Sequence, residues 1–91
     1  MGAQKKNEEM GYISELMDSV IEDFGVPRNI RSQVQLAKEK MLNEKEKEDV
    51  RITSAIYTLE DISNDVNMPS HTRTEIWQII SELEAVREQA K

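Results

Sequence analysis

The chain has 91 residues, no cysteine and a formal net charge of −6, with 18 acidic residues against 12 Lys and Arg. A chain of this length forms one domain with a small core, which neither disulfides nor thiolate-bound metals can support here. The acidic excess disfavours nucleic acids, because proteins bind them through clustered Lys and Arg. No apolar run follows the lysines of the N-terminal "MGAQKK", so we expect a cytoplasmic protein without membrane contact.

The first predicted helix covers residues 8 to 24, where apolar side chains recur every three or four positions. Residues 1–7 are expected to form a disordered tail, and residues 8–91 a single four-helix domain. Gly25 can end the first helix in a left-handed conformation, and Pro27 suits the first turn of the second helix.

The second helix is expected to end near Asn43, at the start of the polar run "NEKEKED". This run alternates in charge, so we interpret it as a solvated turn followed by the first turn of a third helix, rather than as a binding tail. Helical spacing of apolar residues then continues to Ile62, after which "SNDVNMP" breaks the pattern. The fourth helix is expected to begin at Pro69 or, from its capping-box spacing with Glu75, at Thr72.

The two halves of the chain repeat one pattern: Asp, two residues, an apolar residue, Pro, three residues and Arg. A shift of 42 residues, the separation of Pro27 and Pro69, aligns the two copies. Periods in the forties are typical of helical-hairpin repeats, so we interpret each copy as the joint of a hairpin. The aligned positions are Asp23 with Asp65, Pro27 with Pro69, and Arg31 with Arg73.

We therefore predict an all-α fold in which two similar hairpins close into a four-helix up-and-down bundle. Residues 49 to 62 also resemble one helix of a HEAT repeat, so a short HEAT-like superhelix is the alternative. The bundle is favoured because an open solenoid needs about three repeats, and only two are found here.

The charged residues of the repeat suggest a structural role. Each Asp lies near a helix C-terminus and each Arg near the next N-terminus, where both oppose the helix dipole. We expect a salt bridge across each turn, Asp23 with Arg31 and Asp65 with Arg73, to offset this penalty and to set the angle between the helices. The second choice is that either Asp caps backbone amides of the following helix.

Two stretches of the sequence resemble a known family. "VPRNIR", and above all "ISNDVNMPSHTRTEIW" followed by "SELE", are similar to the small archaeal proteins of uncharacterised protein family 0147. The resemblance extends from about Glu9 to Val86. It implies a cytoplasmic all-α domain of about this length with no established activity, and it assigns no catalytic residue to this chain.

Four residues of the second copy have no counterpart in the first and are the candidate interaction residues: Asn64, Asn67, His71 and Trp77. His71 lacks a second His or Cys for a metal site, so we expect it to cap the fourth helix or to lie exposed at its start. Trp77 is expected to pack in the core or at its edge. The chain has no Gly-rich phosphate loop, nucleophile relay or Glu-x-x-His pair, so we assign no catalytic, cofactor-binding or metal-binding residue.

The leading hypothesis is a non-enzymatic protein–protein interaction or scaffold module, whose partner is an unidentified protein or a second copy in a homodimer. An exposed apolar patch formed by Leu36, Tyr57 or Trp77 would support it. An enzyme would need a deep pocket with a perturbed acid beside His71. The main alternative is a nucleic-acid-binding or ribosome-associated accessory protein, which requires the basic residues to share one face. Those residues are Arg28, Arg31, Lys38, Lys40, Arg51 and Arg73.

Overall fold

The computed structural model describes the backbone of residues 2–90 and the side chains of residues 8–89. Within that part the chain forms no strand and four helices: α1 (Gly2–Ile21), α2 (Arg28–Met41), α3 (Glu48–Ile62) and α4 (Ser70–Ala90). The predicted all-α class is confirmed. The first helix begins at Gly2 and therefore earlier than the predicted start at residue 8. The side chains of residues 1–7 lie outside the described part, so the predicted disordered tail stays a prediction.

The helices form a closed ring with dimensions of 39 × 19 × 19 Å. α2 packs against α1 and α3, and α4 packs against α3 and α1, while no Cα atoms of the diagonal helix pairs lie within 8 Å of each other among the described residues. Short turns join successive helices, which therefore run antiparallel. This is the predicted up-and-down four-helix bundle. The contact between α1 and α4 excludes the HEAT-like superhelix, in which the first and last helices lie apart.

The apolar stripes expected from helical spacing face the bundle axis and form the core. Val26 and Met68 lie at equivalent positions directly before the two prolines and close the core at one end, with only 2% and 6% of their surfaces exposed. The largest fully buried side chains are Ile13, Met17, Val20, Ile30, Met41, Ile52, Ile56, Leu59, Ile76, Ile79, Ile80 and Leu83.

The end of α1 differs from the prediction. The helix ends at Ile21 rather than at residue 24, so Phe24 lies in the turn and not on the buried stripe. Gly25 is not left-handed, since no described residue has a positive φ. Instead its N–H donates to Oδ1 of Asp23 at 2.8 Å, which provides the turn with its own hydrogen bond.

All three connections between the helices use the same turn. The side-chain oxygen of an Asp or Asn accepts the backbone N–H two residues later, and its carbonyl accepts the N–H three residues later at 3.0–3.3 Å. Pro27 and Lys47 have nearly the same backbone angles, (−54°, 146°) and (−64°, 150°), so proline is not essential to this turn. The side-chain acceptors are Asp23, Asn43 and Asp65.

We call the first and third turns, residues 22–27 and 63–69, the joints, and the second turn, residues 42–47, the connector. Because the helices run antiparallel, both joints lie at one end of the bundle, which we call the joint end, and the connector lies at the other. Every candidate turn residue of the repeat is therefore at the joint end.

Candidate functional site

The two arginines of the repeat bind backbone carbonyl groups of the joints. Arg73 donates to the carbonyl oxygens of Ser63 and Asp65, the latter at 3.0 Å. Arg31 donates from Nε to the carbonyl oxygen of Val26, also at 3.0 Å. The carbonyl groups of Ser63 and Val26 lie beyond the regular hydrogen bonding of the helices and find a protein donor in these guanidinium groups. The carbonyl group of Asp65, which also accepts the N–H of Met68, gains a second donor.

The predicted salt bridges, Asp23 with Arg31 and Asp65 with Arg73, are therefore not formed. Each carboxylate instead accepts an N–H of its own turn. The second choice, capping of the following helix, is not formed either, because the N–H groups bound by the carboxylates precede that helix. The Asp, Pro and Arg of the repeat do build the turns, but through the backbone.

Two side-chain contacts join one joint to the other. Asn29 donates from Nδ2 to Oδ2 of Asp65 at 2.9 Å, and Nε2 of His71 lies 3.3 Å from Oδ2 of Asp23. Asn29 and His71 are equivalent under the shift of 42 residues, as are the two aspartates. Each joint thus uses the same position to contact the same carboxylate of the other joint, which is the reciprocal pattern that a two-fold axis produces.

The electrostatics of this cluster favour an ionised Asp23. The N–H of Gly25 is the main cause that lowers the pKa of Asp23 below its ordinary value, and the hydrogen bond from His71 adds to it. Partial burial raises this pKa, while the charges of His71 and Arg31 lower it further. The carboxylate is therefore a stable acceptor for both of its partners near neutral pH.

Three of the four candidate interaction residues lie at the joint end. Asn67 donates its N–H to Asp65, and Asn64 points Nδ2 at the carbonyl oxygen of Glu60, 3.5 Å away. His71 is exposed at the start of α4, as predicted.

The fourth candidate, Trp77, lies about two helical turns further along α4. Its side chain is 47% exposed, so of the two expected positions, in the core or at its edge, the first is not observed. Ile76 takes the buried position of this turn, and the next residue is rotated by about 100° away from it.

Sequence reasoning missed Phe24 and Val66 as surface residues. They are 89% and 90% exposed, the highest values for any large hydrophobic side chain in the described part. They occupy equivalent positions, one residue after the Asp of each joint, and the alignment of the repeat could have revealed them. In the connector, which has the same turn, Glu44 occupies this position and is exposed. The turn therefore does not require an apolar residue there.

No feature of the described residues indicates a metal site or a deep pocket at the joint end. No group of three or more His, Cys, Asp or Glu side chains among them could hold a metal ion. Depressions of about 450 and 240 Å³ lie on the outer side of α2 and beside the connector, and His71 lines neither of them. None of the described helices has the length and apolar character that crossing a membrane requires.

Comparison with known proteins identifies the family. The model of an uncharacterised protein family, UPF0147, matches residues 1–86. The chain belongs to the UPF0147 family. A UPF0147 protein of Methanocaldococcus jannaschii is 54% identical over 72 residues, which cover 79% of this chain and 77% of that protein. A UPF0147 protein of Methanothermobacter thermautotrophicus is 42% identical over 87 residues, which cover 96% and 85%.

A solved structure supports the fold of this UPF0147 chain. The crystal structure of a UPF0147 protein from Thermoplasma acidophilum is 34% identical and aligns with a TM-score of 0.84 over 89% of this chain and 95% of that one. The resemblance found in "ISNDVNMPSHTRTEIW" is thereby confirmed, and the UPF0147 relatives are archaeal proteins.

Proposed function

We propose that this UPF0147 protein is a non-enzymatic protein–protein interaction module of the cytoplasm, and that it contacts its partner through the joint end. The observation that carries the proposal is the exposure of Phe24 and Val66, 89% and 90%, at equivalent positions of the two joints. The connector has Glu44 at the same position of the same turn. The turn itself therefore does not require apolar residues at these positions of the joint end.

The joint end offers a partner a rigid surface. The hydrogen bonds from Asn29 to Asp65 and between His71 and Asp23 hold the two joints against each other, so little ordering is left for the moment of binding. Burial of one large apolar side chain contributes about 1.5–3 kcal/mol, and aromatic residues are common among those that dominate binding energy. Phe24 is thus the expected centre of the contact.

The basic residues favour a protein partner over a nucleic acid. Binding to phosphates requires free cationic groups on one face. Arg31 and Arg73 donate to the joints, Lys38 pairs with Asp18 at 2.6 Å, and Lys40 donates to a threonine on α3 at 2.9 Å. These interactions lie at both ends of α2 and on different sides of the bundle, so they do not form one cationic face.

The exposed Leu36, Tyr57 and Trp77, which were considered as a patch, lie on three different helices. They offer less support for a single contact surface than the joint end does. Of the exposed aromatic residues, Tyr57 is therefore a suitable control, since it is 65% exposed and lies on α3, outside both joints.

The test compares two variants of the full chain. One carries Phe24→Gln and Val66→Gln, which the turn should tolerate because the connector has Glu at that position, and the control carries Tyr57→Gln. Proteins retained from a lysate of the archaeal host are identified by mass spectrometry, purified and titrated against each variant by calorimetry. We expect the joint variant to weaken binding by about tenfold or more, or about 1.4 kcal/mol, and the control to change it little.

Two results would contradict the proposal. One is that no retained protein binds the purified chain with a defined stoichiometry. The other is that the control weakens binding as much as the joint variant does. Light scattering across a range of concentrations tests whether the partner is a second copy, since a homodimer would then dissociate in the joint variant and not in the control.

A further inference from the structure

A shallow groove of about 450 Å³ runs along the outer side of α2, next to the first joint. Its apolar walls are Ile21, at the end of α1, and Leu36, which is 38% exposed. Its charged residues are Arg28 and Arg31 near the joint, and Glu39 further along. We call this surface the α2 groove. It is open to solvent along α2, which suits a segment of chain better than an enclosed small molecule.

The two guanidinium groups of the α2 groove differ, because that of Arg31 is fixed in place and that of Arg28 has no side-chain partner among the described residues. Arg31 is held by the bond from Nε to Val26, and its Cζ lies 5.4 Å from the ring centroid of Phe24. No hydrogen bond or ion pair to another described side chain engages Arg28, which is exposed at the first position of α2. An unpaired arginine is notable in a chain whose acidic residues outnumber its basic ones.

Resting on the proposed function, we propose that the α2 groove binds a helical acidic segment of the partner protein, in which Leu, Ile or Phe side chains recur at helical spacing with Glu or Asp between them. Carboxylates of such a segment match the guanidinium groups of Arg28 and Arg31, and its apolar side chains match Ile21 and Leu36. Phe24, whose ring faces the guanidinium group of Arg31, lies beside the groove at the joint end.

The experiment uses two labelled synthetic peptides of about 12 residues, long enough to follow the α2 groove at about 1.5 Å per residue. One peptide has Leu at helical spacing with Glu between, and the matched peptide has Lys in place of Glu. Fluorescence anisotropy measures their binding to the full chain and to the variants Arg28→Glu and Leu36→Ser. The control Lys45→Glu makes the same change of charge in the connector, at the opposite end of the bundle.

We expect the acidic peptide to bind saturably and the basic peptide not to bind. Arg28→Glu should weaken binding of the acidic peptide about tenfold or more, Leu36→Ser should weaken it measurably, and Lys45→Glu should change it by less than about twofold. Amide chemical shifts of the ¹⁵N-labelled protein should change along the outer side of α2. All three variants alter exposed side chains, and circular dichroism verifies that each remains folded.

The inference is overturned if the acidic peptide shows no saturable binding. It is also overturned if Arg28→Glu and Lys45→Glu weaken binding of the acidic peptide equally, because the affinity would then depend on the net charge of the chain and not on the groove. It is also overturned if an oligouridylate binds through Arg28, because the groove would then be a nucleic-acid site. A partner that depends on Phe24 and Val66 but not on Arg28 would leave the proposed function standing and refute the groove. If neither dependence is found, both proposals fail.

Discussion

The equivalent arginines of the two joints should contribute unequally to stability. Arg73 donates two hydrogen bonds to the carbonyl groups of Ser63 and Asp65, whereas Arg31 donates one to Val26. Replacement of either residue by alanine removes the donors. The carbonyl group of Val26 or of Ser63 then loses its protein donor, whereas the carbonyl group of Asp65 keeps the N–H of Met68. The comparison is informative because both residues occupy the same position of the same structural unit.

The expected magnitudes follow from the number of bonds. A hydrogen bond that involves a charged group contributes about 1.5–3 kcal/mol, and two bonds from one side chain add less than twice that amount. We therefore expect Arg73→Ala to lower the free energy of unfolding by about 3 kcal/mol. Arg31→Ala should lower it by about 1.5–2 kcal/mol, because one such bond and a cation–π contact worth about 0.5 kcal/mol are lost from a partly exposed site.

Urea unfolding, followed by circular dichroism and by the fluorescence of Trp77, measures both values. The slope against urea should not change, so that the midpoints alone report stability. The variant Arg73→Lys serves as the matched control: it retains the charge but cannot reach both carbonyl groups with a fixed fork, so it should recover less than half of the loss. Equal destabilisation by Arg31→Ala and Arg73→Ala, or full recovery by Arg73→Lys, would refute the reasoning.

Three further predictions concern single contacts. The pKa of Asp23 is lower in the folded state than its ordinary value of 3.8. The ionised carboxylate therefore stabilises the fold above pH 3.8, and this stabilisation is lost as the pH falls through the lower pKa of the folded state. The difference in the free energy of unfolding between the wild type and Asp23→Asn should therefore shrink as the pH is lowered below 3.8. Urea unfolding between about pH 2 and 7 measures this difference. A difference that stays constant over this span would contradict the prediction. Ile56→Ala should cost about 2–5 kcal/mol, while Tyr57→Ala, one residue along and 65% exposed, should cost less than about 1 kcal/mol in the same assay. Lys38→Ala should cost about 1 kcal/mol or less, and added salt should reduce the effect, since Lys38 and Asp18 form a partly exposed pair.

Much of the fold could be predicted because it depends on signals that are local in the sequence. The spacing of apolar residues locates all four helices, and Pro27 and Pro69 mark two of the three turns. The closed bundle could be predicted because the chain has two repeats, fewer than the three or so that an open solenoid needs. The turn of the connector was harder to recognise in the sequence, because Asn43 forms the same turn as Asp23 and Asp65 without a proline four residues later.

The candidate site was harder to predict, because it depends on backbone groups. Charges of opposite sign, such as Asp23 and Arg31, are visible in a sequence and suggest a salt bridge. The unsatisfied N–H and carbonyl groups at helix ends are not visible there, yet they lie closer and bind both charges. The exposure of Phe24 depends in the same way on the residue at which α1 ends.

The reciprocal contacts at the joint end also affect how a partner can approach. After a half-turn about the bundle axis, one joint presents nearly the same backbone as the other, so we expect the proposed partner to have two docking orientations. What distinguishes the orientations is a ring at Phe24 against a small branched side chain at Val66, and an amide at Asn29 against an imidazole at His71. These two differences therefore set which of the two orientations a partner prefers.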